Sequence, residues 1–220
     1  MTHKPTEVDL HAELGLEVVH AKYAALPPRL DVVQNAIVET ARVFLGVREL
    51  GTSNSGYWIQ RFLSAAGLSE GYPWCMGYVQ WVFADVSGIW HLTDLIPRNT
   101  GSTQGAWKWA AELGLVHSDP EKVDKGDVPI WRNGLSAQGH TGIVTSAPYQ
   151  SMGEMIRTID GNTNGEYSRD GGQVAEHAWP VDRWGPWGDV AAKKQAKAGR
   201  RYVRGVISLE ALMHQFWKAD

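Results

Sequence analysis

Near residue 125 the spacing of apolar residues changes from a helical to a strand period, and this change constrains the fold more than any other feature. Before it, Val32, Val33, Ala36, Ile37, Thr40, Ala41, Phe44 and Leu45 recur at helical spacing behind Asp31, and the run stops at Gly46. A polar, glycine-rich loop follows over residues 48–56. Helices are then expected over residues 57–66, 74–86 and 104–113, with Gly67 and Gly114 as stops for the first and last. Beyond the change, residues 127–132, 140–145, 155–160, 174–179 and 201–207 are short, rich in β-branched side chains and bounded by glycine, asparagine or proline. Residues 211–218 read as a closing helix. Helices first and strands after, joined by short turns, predict an α+β fold in which N-terminal helices pack on a mostly antiparallel sheet. Residues 1–28 are weakly patterned and end in Pro27-Pro28, a helix stop. The expected organisation is therefore an extension over 1–30, a main domain over 31–210 and a short terminal helix over 211–220.

Composition removes several function classes. With 43% hydrophobic and 20% charged residues, the 220-residue chain has the make-up of a soluble globular protein. A net charge of −3 leaves no electrostatic footprint for nucleic acid or an anionic membrane. No apolar run approaches a membrane span, and Met1-Thr2-His3-Lys4-Pro5 lacks the apolar core of a signal peptide. The place of action stays open. A single cysteine excludes an intramolecular disulfide and makes a zinc site improbable, so neither metal nor cofactor is expected. The 11 tryptophans are chiefly packing residues, with Trp184 and Trp187 the candidates for an exposed pair lining a groove. His91 and His177 read as surface or packing residues, and the basic run over 193–201 as a solvated loop.

The lone cysteine, Cys75, follows Gly71-Tyr72-Pro73-Trp74 and precedes Tyr78, Val79, Val82 and Phe83 at helical spacing. Its thiol should project from the first turn of a helix, where free N–H groups and the macrodipole favour a thiolate. A buried, inert cysteine is the ordinary alternative. Further along, Gly139-His140-Thr141-Gly142 opens a strand, and the flanking glycines are expected to leave the imidazole accessible. Asp160 and Asn162 close the next strand. Were those two strands antiparallel neighbours, His140 and Asp160 would meet at one sheet edge, and a helix start docked there would complete a Cys-His-Asp constellation.

These residues resemble the CHAP family of cysteine, histidine-dependent amidohydrolases and peptidases. The resemblance lies in Tyr72-Pro73-Trp74-Cys75, Gly126-Asp127-Val128, Gly139-His140-Thr141-Gly142-Ile143-Val144 and Asp160-Gly161-Asn162-Thr163-Asn164, in the family's order. The loop Glu49-Leu50-Gly51-Thr52-Ser53-Asn54-Ser55-Gly56 is similar to one that precedes the cysteine in many members. The resemblance implies a papain-like CHAP/NlpC-type fold over residues 31–210 and hydrolysis of bacterial cell-wall peptide, by an N-acetylmuramoyl-L-alanine amidase or a peptidoglycan endopeptidase. Peptidoglycan is then the partner, action on the envelope is implied, and a monomer is expected. Calcium, bound by some members, is not expected, because residues 48–73 hold no Asp-x-Asp-Gly loop.

Carried over, the resemblance makes Cys75 the nucleophile and His140 its base, with the Cys75 N–H as one oxyanion donor. Asp160 stands where glutamate or asparagine is usual, and aspartate is one methylene shorter, so Asp160 and Asn162 both stand as candidates to orient His140. Asn54 and Trp58 are candidates for the second oxyanion donor, and with Trp74 for substrate contact. A helix start contributes about 0.3–1 kcal/mol to a thiolate, whereas an imidazolium about 4 Å away contributes up to roughly 4 kcal/mol, near three pKa units. Histidine is thus the main expected activator. Two other readings stand beside this one: a cysteine amidase acting on a non-wall amide, and a catalytically silent module that binds wall glycopeptide.

Overall fold

The computed structural model describes residues 3–51, 53–96, 99–146, 155–164, 171–180 and 201–217. Five helices lead: α1 (Glu7–Tyr23), α2 (Leu30–Val43), α3 (Tyr57–Ala65), α4 (Cys75–Ile89) and α5 (Thr103–Glu112). Strands follow: β1 (Val116–His117), β2 (Val128–Asn133), β3 (Gly139–Thr141), β4 (Ile143–Ser146), β5 (Met155–Thr163), β6 (Gln173–Pro180) and β7 (Arg201–Ile207), with α6 (Leu209–Phe216) closing the chain. All described strand pairings are antiparallel. The fold is α+β.

Sequence patterning assigns no helix to residues 7–23, yet α1 fills them. Thr6 starts it with a capping box: its hydroxyl accepts from the Asp9 N–H while the Asp9 carboxylate accepts from the Thr6 N–H. Ala12, Leu16, Val19 and Tyr23 are buried, but Val8, Leu10, Leu14 and Val18 lie exposed. Apolar residues on both faces hide the period that marks an amphipathic helix. The buried face joins the same core as α2, α3 and α4, so that core continues across residue 30.

The centre of that core is aromatic. Phe44 meets Trp58, Phe62 and Trp81 edge-on, with ring centroids 4.8, 5.2 and 5.0 Å away. α4 is the central helix, buried at Met76, Tyr78, Val79, Val82, Phe83 and Val86, and it packs on α3 on one side and on β5 and β3 on the other. Each such side chain contributes about 1.5–3 kcal/mol by leaving water. A Cβ on Gly77 would sit 2.4 Å from the Phe62 carbonyl oxygen, so glycine there permits the close approach of α3 and α4.

The sheet departs from expectation. Among the described residues there are two, ordered β1-β7-β2-β3 and β4-β5-β6. The strand expected over 140–145 breaks at Gly142: β3 pairs with β2, and β4 pairs with β5. His140 and Asp160 therefore do not lie on neighbouring strands of one sheet, as the sequence suggested. The chain crosses from one sheet to the other between them. Hydrogen bonds from Val144 N–H to the Asp127 carbonyl and from Gly126 N–H to the Val144 carbonyl stitch β4 to the segment entering β2.

Candidate active site

Trp74 is the N-cap of α4 and Cys75 its first helical residue. The Trp74 ring stacks on Phe62 at 5.7 Å, and its indole N–H donates to Glu49 Oε1 at 2.9 Å. Glu49 Oε2 accepts the Asn54 backbone N–H at 2.8 Å, so one carboxylate ties the 48–56 loop to the helix start. These contacts correct three expectations. Trp74 is wholly buried, and Trp58 is buried with its N–H on the Asp9 carbonyl. Neither indole can donate to a substrate oxygen, because burial against Phe62 and Phe44 stabilises them more than exposure would. Asn54 turns its amide to the Ser53 hydroxyl and the Gly71 carbonyl, bracing the loop.

Cys75 is 5% exposed and so is not the surface thiol that its position suggested. Burial pushes it from an ordinary value near 9 up to about 11; the Met76 and Thr141 N–H groups and the Arg201 charge oppose the rise, and the Asp160 charge adds to it. The helix start alone does not yield a thiolate. β3, which carries His140 and Thr141, packs against α4.

His140 is 1% exposed, against the accessible imidazole expected from its glycines. The glycines serve packing instead. A Cβ on Gly139 would lie 2.4 Å from both Thr103 Oγ1 and the Trp131 carbonyl, and one on Gly142 would lie 1.9 Å from Asp160 Oδ1. With Gly142 bare, the carboxylate reaches the imidazole: His140 Nε2 and Asp160 Oδ2 are 3.1 Å apart, with Asp160 wholly buried. Asp160 sits within β5, which runs on to Thr163 rather than ending there.

Asn162, at φ 55°, is buried, and neither of its amide atoms has a partner among the described residues. It faces a groove of about 240 Å³ with Cys75, Pro73, Ser102, Thr103 and Gln138. Ser102 and Thr103 are the cap and first residue of α5, and Gln138 comes from the turn between β2 and β3, polar positions whose sequence does not mark a groove. Cys75, His140, Asp160 and Asn162 are thus brought together, while Asn54, Trp58 and Trp74 are not. His177 is a packing residue, buried and bonded to Thr163 Oγ1 at 3.0 Å. Trp184, Trp187 and most of the basic run lie outside the described residues. Among the described residues no group of three His, Cys, Asp or Glu could hold a metal ion, and no helix is long and apolar enough to cross a membrane.

A family model for the CHAP domain matches residues 67–162. This stretch belongs to the CHAP family. The CHAP segment opens ahead of Cys75 and ends on Asn162, enclosing Cys75, His140, Asp160 and Asn162; α1 to α3 precede it, and β6, β7 and α6 follow. No curated protein and no solved structure matches the chain. A CHAP domain marks a cysteine- and histidine-dependent amidohydrolase or peptidase, and the fold is papain-like.

Proposed function

We propose that this chain is a cysteine-dependent peptidoglycan hydrolase that cleaves an amide bond of bacterial cell-wall peptide. The observation that carries the reading is the buried 3.1 Å His140–Asp160 pair beside a thiol at the first turn of α4 that opens on a groove of about 240 Å³. The CHAP segment supports the substrate class.

In this reading Cys75 Sγ attacks the amide carbon and its proton passes to His140 Nδ1, while Nε2 keeps its bond to Asp160. The electron pair displaced onto the carbonyl oxygen is met by the Cys75 N–H, which as a first-turn donor has no intrahelical acceptor, and by the Asn162 amide. Collapse breaks the C–N bond, and the amine leaves with the proton from Nδ1. Water then attacks the thioester, losing a proton to His140 that returns to Sγ. The magnitudes fix the timing. Burial pushes the thiol up to about 11, so it is protonated at rest and gives up its proton to the neutral imidazole as it attacks.

The test is to incubate purified protein with cell walls and analyse released fragments by mass spectrometry, beside Cys75→Ala. New amino termini within the peptide identify an endopeptidase, and freed lactyl groups an amidase. Release that persists in Cys75→Ala, or no release with hydrolysis of another amide, would overturn the reading.

A further inference from the structure

α5 leaves the thiol groove at Thr103 and presents Gln104, Trp107, Lys108 and Ala111 on one face, at helical spacing. This face walls a second cavity of about 470 Å³, closed by Arg132 of β2 and Arg204 of β7. Its lining holds three cations, Lys108, Arg132 and Arg204, against one carboxylate, Glu112, in a chain whose net charge is −3. Both guanidiniums are positioned by neighbouring side chains or carbonyls. Arg204 donates to Gln104 Oε1 at 2.9 Å and lies 5.0 Å from the Trp107 ring centre. Arg132 donates to the Ser136 and Leu135 carbonyls at 2.9 and 2.7 Å, and among the described residues it forms no ion pair. Trp107 is seated by Gly205, where a Cβ would lie 2.7 Å from the indole. Glu112 neutralises little, since among the described residues its ion pair is with Lys108, at 3.8 Å and with both side chains largely exposed.

The two cavities are continuous in the chain. Thr103 lines the groove and Gln104 the second cavity; Gly139 lines the groove and pairs with Arg132 across the β2–β3 ladder. From Thr103 to Lys108 the helix rises about 7.5 Å, close to two residues of extended peptide.

We propose that this cavity is a substrate subsite for a carboxylate borne by the peptide about two or three residues from the scissile amide. The proposal rests on the peptide-hydrolase reading above and adds to it that the preferred substrate is anionic. Forked guanidiniums suit carboxylate recognition, and a partly shielded site strengthens it.

The test compares a synthetic wall stem peptide carrying its free carboxylates with the same peptide amidated at those groups, on wild type and Lys108→Glu. Lys108 is an exposed helix residue, so the variant keeps the fold; Arg204→Gln serves as a second variant. Wild type should show a KM about fivefold or more lower for the carboxylate peptide, by an advantage that salt erodes and Lys108→Glu abolishes, with the change in KM rather than kcat. Equal KM values for the two peptides on an active enzyme would overturn the subsite and leave the hydrolase reading standing. If wild type cleaves neither peptide, that reading fails, and calorimetry of both peptides on Cys75→Ala decides the subsite. Tighter binding of the carboxylate form, weakened by Lys108→Glu, upholds it, and indifference to the carboxylates overturns it.

Discussion

The two cavities that flank the start of α5 are built in opposite ways. In the thiol groove, position is enforced by packing: Cys75, His140, Asp160 and Asn162 are each at most 5% exposed, and bare glycines make room for them. In the cationic cavity, position is left to long side chains on a solvent-facing wall, with Lys108 79% exposed. Groups that must exchange a proton need fixed geometry and low dielectric, whereas a charge that attracts a substrate carboxylate tolerates movement. Changes in the groove should therefore act almost as all-or-none, and changes in the cavity should be graded and sensitive to salt.

The largest expected effect breaks the groove itself. Asp160→Ala leaves the imidazole without its acceptor and should lower kcat by about 10³–10⁴, as loss of an orienting carboxylate does in hydrolytic triads. If Asn162 is an oxyanion donor, as proposed, Asn162→Ala should cost about 10²–10³ in kcat. Steady-state turnover of the two variants compares them, and a larger loss at Asn162 would exchange their roles. Gly142→Ala tests the packing claim, because its methyl would lie 1.9 Å from Asp160 Oδ1. The expected cost is about 2–4 kcal/mol of stability together with most of the activity, read by urea denaturation and turnover. Wild-type stability and activity in this variant would mean that the glycine is not what admits the carboxylate.

Much of this was legible beforehand, and the failures have physical causes. Helices α2 to α5 each carry a clear apolar period or glycine stop, and the strands carry β-branched runs. α1 was missed because Leu14 and Val18 are apolar yet exposed, which blurs its buried stripe. The break at Gly142 was missed because a glycine in a strand does not say whether it admits a bend, a ligand or, as here, a neighbouring carboxylate. Trp58 and Trp74 are offered as groove residues by the sequence, which gives their proximity to Cys75 along the chain and not the direction of their rings. The thiol's burial was hidden for the same reason: a helix start sets the dipole, but the sheet packed against it sets the solvation.

Smaller effects sharpen the contrast. The Cys75 thiol has a folded value of about 11 against an ordinary one near 9, so as pH rises the unfolded chain loses this proton first. Its contribution to stability is complete below about pH 9 and declines as pH rises towards 11, by up to about 2–3 kcal/mol. Urea midpoints at about pH 8 and pH 10.5 should fall further for wild type than for Cys75→Ala. Parallel falls would show that burial does not hold the proton on the thiol. The smallest effect belongs to the cavity: raising salt from about 0.05 to 0.5 M should increase KM for a carboxylate-bearing peptide a few-fold, by screening. Alkylation of Cys75 by neutral iodoacetamide should not change over the same range.

The central claim is that Cys75 is the nucleophile and forms a covalent intermediate. Acid-quenching wild-type protein during turnover of wall peptide and recording its intact mass tests this most directly. The account predicts an adduct with the mass of the acyl fragment, mapping to the peptide that contains Cys75 and absent from Cys75→Ala. Turnover with the adduct on another residue, or undiminished turnover in Cys75→Ala, would contradict it.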